Sequence, residues 1–139
     1  MSIISRRALF GVLTLIVLVM VAGAAPAAFA TEPWWHMTSG ARPTYLAPGG
    51  EGTIVVMAED FGDARVDGTK VPVTITDTLP KGLQALSVVG AEVLGNTQTP
   101  LSCSKSPVLK CVWDGFVAPY QQLEVRIRVR VGAGAHSGK

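Results

Sequence analysis

The stretch that decides the fold is Leu123-Glu-Val-Arg-Ile-Arg-Val-Arg-Val131, in which apolar and charged residues alternate over nine positions. Successive side chains of a β-strand point to opposite faces of its sheet. The alternation therefore predicts a strand whose leucine, valine and isoleucine side chains face a core. The opposite face carries a glutamate and three arginines, and it is predicted to meet solvent.

Shorter stretches toward the N-terminus have the same character, with β-branched runs bounded by glycine, proline and aspartate. Strands are expected at 53–58, 71–76, 86–94, 101–104 and 108–113, the last two as a hairpin, and turns at 79–83 and 96–100. Pro72 cannot donate to a ladder, so it is expected at a strand start or a sheet edge. About six short strands without a helical apolar period predict an antiparallel β-sandwich.

The first thirty residues have the pattern of an export signal. Two arginines precede an apolar run from 9 to 21, and small residues follow up to Ala30. A basic start, an apolar centre and an Ala-x-Ala end predict a signal peptide over 1–30. The alternative is an uncleaved anchor helix that enters the membrane through residues 8–25, which carry no charge and approach the ~20 residues that span a bilayer.

Beyond this leader, residues 31–44 are expected to form an N-terminal extension and residues 45–139 the folded domain. All 10 acidic residues lie beyond residue 30, whereas two of the 12 lysines and arginines lie within the leader, so the rest of the chain is formally neutral. Proteins that bind nucleic acid need a cationic surface. The charge balance therefore argues against a nucleic-acid partner.

Cys103 and Cys111 are the two cysteines of the chain. In an exported protein an even number of cysteines predicts a disulfide, and the seven intervening residues are enough to fold back. Closing this loop should stabilise the domain by roughly 2–3 kcal/mol. A redox-active pair is the alternative, but it favours a Cys-x-x-Cys spacing at a helix start.

The sequence predicts no catalytic residue, no metal site and no cofactor. His36 and His136 are far apart and neither neighbours a cysteine, so no zinc-ligand spacing occurs. Neither Gly-x-Ser-x-Gly nor His-Glu-x-x-His is present. A solvated acidic loop is expected, with calcium binding as the alternative, at Glu59, Asp60, Asp63 and Asp67.

Two groups of side chains are candidate ligand contacts. Trp34 and Trp35 can stack on sugar rings, and their alternative is packing onto one end of the domain. Arg126, Arg128 and Arg130 form a basic stripe about 13 Å long that suits an anionic wall polymer or a lipid headgroup. The alternative for the arginines is an ordinary solvent-exposed face.

Most of the chain, from 45 to 131, resembles a family of bacterial cell-surface repeats of unknown function. The most specific match is Thr76-Asp-Thr-Leu-Pro-Lys-Gly-Leu83, which fits the signature Thr-Asp-x-Leu-Pro-x-Gly-Leu. The resemblance also includes Pro48–Val56, Asp60–Ala64, Cys103, Cys111, Val117–Tyr120 and Leu123–Val131. It implies an immunoglobulin-like β-sandwich on an exported bacterial protein, with a structural or adhesive role and no catalytic residues.

The chain departs from this family at three places. Asp60 stands where asparagine is usual and Tyr120 where glycine is usual, both at turns. The family usually adds a strand after the position of Val131. Its absence predicts that Leu123–Val131 lies at an open edge, and two alternatives remain: the chain is a fragment of a longer repeat protein, or the edge pairs with another copy.

These observations together predict a non-catalytic, exported module of the cell surface or envelope with a structural or adhesive role. The alternative is a module that binds carbohydrate or a wall polymer through the tryptophans and the basic stripe.

Overall fold

The computed structural model describes residues 31–106 and 108–135. This part of the chain folds into β-strands and contains no helix, so none that could cross a membrane. The strands are β1 (Trp35–Arg42), β2 (Glu51–Asp60), β3 (Val66–Asp67), β4 (Val73–Asp77), β5 (Leu83–Leu94), β6 (Thr97–Pro100), β7 (Ser102–Ser104), β8 (Leu109–Trp113), β9 (Phe116–Val117) and β10 (Gln122–Val131). The predicted all-β antiparallel fold is confirmed. The predicted signal or anchor helix falls within 1–30, outside the described residues.

The largest sheet has five antiparallel strands in the order β1-β2-β10-β5-β6. β10 lies at its centre, where Val125 is opposite Val56 of β2 on one side and Gly90 of β5 on the other. The alternation predicted for β10 is confirmed, because Ile127 is fully buried while Arg128 next to it is exposed.

A three-stranded sheet in the order β4-β8-β7 faces this large sheet, and β3 pairs with β9 in a short ribbon. Cys103 of β7 lies directly opposite Cys111 of β8, and a disulfide joins them. The predicted hairpin and disulfide are both confirmed. Pro72 immediately precedes β4, which is an edge strand. This is the position predicted for it, because proline has no N–H group to donate to a neighbouring strand.

The core lies between the large sheet and the three-stranded sheet. Its most deeply buried apolar side chains are those of Leu123, Ile127, Val129, Val117 and Cys111. Burying a valine, leucine or isoleucine side chain contributes about 1.5–3 kcal/mol. The buried face of β10 is therefore the largest single contribution of one strand to the core.

The expectation that residues 31–44 form an extension outside the domain is wrong. Trp35–Arg42 is β1, which pairs along its whole length with β2, from Trp35 opposite Asp60 to Arg42 opposite Thr53. The sequence did not reveal this strand because polar residues and Gly40 interrupt its apolar positions.

The expectation that Leu123–Val131 lies at an open edge is also wrong. β10 has a partner on both sides, so it offers no free backbone edge to another copy. The edges of the two larger sheets are β1, β6, β4 and β7. The turn predicted at 96–100 is shorter than expected, because Thr97–Pro100 forms β6 after a turn in which Gly95 has a φ of 57°.

Candidate binding surfaces

An apolar cleft opens between β1 and β4. It encloses about 730 Å³. Trp35 and Met37 of β1 and Ala58 of β2 lie on one side of it, and Val73 and Ile75 of β4 lie on the other. The cleft exists because the three-stranded sheet is narrower than the sheet that it covers.

The width of the two sheets determines what the cleft exposes. Val56 of β2, Ile75 of β4 and Val125 of β10 border the same small internal gap, so β4 lies over β2 and β10. β1 lies beside β2 on the side away from β10, so it is not covered by β4. Met37 lies on the same face of the sheet as the buried Ala58 opposite it, yet its side chain is 56% exposed.

Among the described residues that line the cleft, charged side chains occur at one end only. Lys70 Nζ lies 2.9 Å from Asp67 Oδ2, and the Arg65 guanidinium lies 4.2 Å from the centre of the Phe116 ring. The hydrogen bond from Thr69 and then the Lys70 ammonium lower the pKa of Asp67. The charges at this end therefore have partners within the domain, and the floor of the cleft carries none.

A cluster of exposed aromatic side chains lies at the end of the large sheet where β1 begins. The Trp34 and Phe61 ring centroids are 6.1 Å apart, and His36 stacks on Phe61 at 5.3 Å. Trp34 is 64% exposed. The two adjacent tryptophans thus serve different surfaces, because Trp34 joins the aromatic cluster whereas Trp35 packs against the core and lines the cleft.

Asp60 holds the segment that carries Trp34. Its side chain is fully buried, and Oδ1 accepts hydrogen bonds from the backbone N–H groups of Trp34, at 2.8 Å, and of Gly62, at 2.9 Å. Oδ2 is buried and has no hydrogen-bond partner in the described part of the chain. Asp60 therefore does not belong to the solvated loop that the sequence predicted, and it acts on the backbone of the neighbouring segment.

The three arginines of the predicted basic stripe lie on the exposed face of β10, where two glutamates form ion pairs with them. Arg128 and Arg130 share Glu51 at 3.0 and 2.6 Å, and Arg126 pairs with Glu124. The register places Arg126 opposite Val55, five residues along β2 from Asp60, or about 17 Å. The structure therefore does not bring the stripe and the tryptophans into one site.

The carboxyl of Glu51 should titrate below its ordinary range, because hydrogen bonds from Arg130 and Arg128 lower its pKa. A group with a lowered folded-state pKa stabilises the fold above its unfolded pKa and loses this effect as the pH falls through the folded value. In an NMR titration, Arg128→Gln with Arg130→Gln should return this pKa toward normal. An unchanged Glu51 titration in the double variant would show that these ion pairs do not form in solution.

No group of three or more histidine, cysteine, aspartate or glutamate side chains among the described residues is arranged to hold a metal ion. The acidic residues of the predicted loop are separated: Asp60 is buried in β2, Asp67 bonds Thr69 and Lys70, and Asp63 accepts a hydrogen bond from the backbone of Glu32. His136 lies outside the described residues. The calcium alternative has no support in this arrangement.

No protein-family model matches the chain, and no curated protein matches it. The resemblance to bacterial surface repeats therefore stays a prediction.

Proposed function

We propose that this chain is an immunoglobulin-like β-sandwich module that is exported and acts without catalysis at the cell surface or envelope, in a structural or adhesive role. The apolar cleft between β1 and β4 carries the proposal. Its floor consists of Trp35, Met37 and Ala58, and its charged groups are paired at one end. Such a surface suits binding through shape and apolar contact.

Export is the second part of the proposal. The signal pattern of residues 1–30 supports it, and the disulfide hints at an oxidising, extracellular environment. Treating intact cells with a protease tests this part. Digestion of the domain on intact cells supports surface exposure, and protection of all of the protein until the cells are lysed contradicts it.

The adhesive role can be tested with envelope fragments from cells that produce the protein. Met37→Lys places a charge on the cleft floor, and Val89→Lys is its matched control, because Val89 is 58% exposed on the opposite face of the large sheet. Binding of the purified full chain to the fragments should fall at least tenfold with Met37→Lys and stay unchanged with Val89→Lys. Equal binding by both variants contradicts a role for the cleft.

The aromatic cluster favours a second candidate function, the binding of carbohydrate or a wall polymer. Trp34 and Phe61 present exposed rings at 6.1 Å, and sugar rings stack on such faces. Trp34→Ala should weaken binding to purified wall polymer roughly tenfold. Tyr45→Ala is the control, because Tyr45 is an exposed aromatic residue that lines a different pocket. Retained binding after Trp34→Ala excludes this function.

A further inference from the structure

The disulfide register shows which backbone groups of β4 face the cleft. Paired residues of antiparallel strands lie about 4.5 Å apart when they do not share hydrogen bonds and about 5.5 Å apart when they do. The Cα atoms of Cys103 and Cys111 are 4.1 Å apart, so these two residues form a non-hydrogen-bonded pair. The N–H and C=O groups of Cys111 therefore point away from β7 and toward β4.

The same alternation continues into β4. Ile75 lies opposite Cys111, so the backbone groups of these two residues bond to each other. The backbone groups of Thr74 and Thr76 then point away from β8, into the cleft that these threonines line. Among the described residues, no strand pairs with this side of β4 and no backbone group bonds to either threonine there.

The cleft thus combines two features that one extended chain satisfies together. Two residues of β4 offer unpaired backbone donors and acceptors along one wall, and Trp35 and Met37 of β1 offer an apolar floor. A strand added to a sheet edge uses the backbone groups for affinity and the floor for its alternate side chains. A lipid chain has no hydrogen-bonding groups along its length, so it would leave the backbone groups of β4 without partners.

The topology also limits the occupant to a single strand. The large sheet extends by one strand, β1, beyond the position of β4, because β4 lies over β2. A second copy that docked through its own β4 would bring its five-stranded sheet into the space of β1. A single segment from another protein avoids this collision.

We propose that the cleft binds one extended polypeptide segment of a partner protein, which pairs with Thr74 and Thr76 as a fourth strand beside β4 and places alternating apolar side chains on Trp35 and Met37. This inference rests on the proposed adhesive function and names its ligand class. The segment has about the length of β4, five residues, and its floor-facing side chains are uncharged, because the floor offers no charged partner.

Peptide binding to the full chain, measured by calorimetry, tests the inference. The probe is acetyl-Lys-Thr-Val-Thr-Val-Thr-Lys-amide, whose valines share one face. Two derivatives carry backbone N-methyl groups, either on both valines or on two of the threonines. In a strand, the N–H groups of these two sets point to opposite sides. Methylation of one set should weaken binding at least tenfold, whereas methylation of the other set should change it less than about threefold.

Each result of this experiment decides the inference. Equal effects of the two methylation patterns, or no binding at millimolar peptide, overturn it. Met37→Lys should abolish binding of the unmodified peptide, and Val89→Lys should not; equal binding by these variants also overturns it. If peptide binding fails while Met37→Lys still weakens binding to envelope fragments, the strand inference is wrong and the proposed function stands. If the peptide binds as predicted while Met37→Lys leaves binding to envelope fragments unchanged, the strand inference stands and the proposed envelope role is wrong.

Discussion

Asp60→Ala should lower the free energy of unfolding by about 2–4 kcal/mol, because it removes the buried acceptor of two backbone N–H groups. Those groups belong to Trp34 and Gly62, at 2.8 and 2.9 Å from Oδ1; the hydrogen bond of Gly62 is buried and that of Trp34 is partly buried. Hydrogen bonds to a charged group contribute about 1.5–3 kcal/mol each. The alanine variant also avoids the free-energy cost of burying a carboxylate, and this offsets part of the loss. Urea denaturation monitored by circular dichroism measures the change.

Asp60→Asn is the matched control for this prediction. Asparagine keeps an acceptor oxygen at the position of Oδ1, so this variant should lose no more than about 1 kcal/mol. The amide hydrogens of Trp34 and Gly62 should exchange faster with solvent in the alanine variant than in the asparagine variant. If alanine and asparagine are equally tolerated, Asp60 does not hold the Trp34 segment in place.

Loss of the disulfide should be the second large effect. Replacing Cys103 and Cys111 with alanine, or reducing the bond in the unmodified chain, should lower the free energy of unfolding by about 2–3 kcal/mol, the value expected for a loop of this length. Thermal unfolding with and without reductant measures the effect. The double alanine variant is the control, because the reductant should leave its stability unchanged.

Equal stability of the oxidised and reduced protein would contradict this account. It would mean that the register of β7 and β8 does not depend on the bond between Cys103 and Cys111.

The central strand and the disulfide hairpin could be predicted because their signals are local. Nine alternating residues identify β10, and two cysteines with seven residues between them identify the hairpin. The backbone of Tyr120 is left-handed, with a φ of 64°, a conformation that glycine adopts more readily than tyrosine.

Other features depend on contacts between distant segments and were not predictable in the same way. β1 contains Gly40 and several polar residues, so only its pairing with β2 shows that it is a strand. The place of β10 in its sheet depends on two partner strands whose paired residues are 29 or more positions away in the sequence, and alternation does not reveal such partners.

The cleft was missed for a related reason. Trp35 and Met37 are spaced as side chains on one face of a strand, but the sequence does not indicate that the opposing sheet stops short of them. The arginine stripe illustrates the same limit. The alternation placed the three arginines on one face of β10, but it did not reveal that Glu51 pairs with two of them from a strand 77 residues away.

Amide hydrogen exchange of the free protein tests most directly whether the edge of β4 is open. Thr74 and Thr76 should exchange close to the rate of an unprotected backbone, whereas Ile75 between them should exchange slowly because its N–H group bonds to Cys111. This difference within three consecutive residues depends only on the direction of their backbone groups. Exchange at Thr74 and Thr76 as slow as at Ile75 would show that the edge is already paired, and would contradict the account.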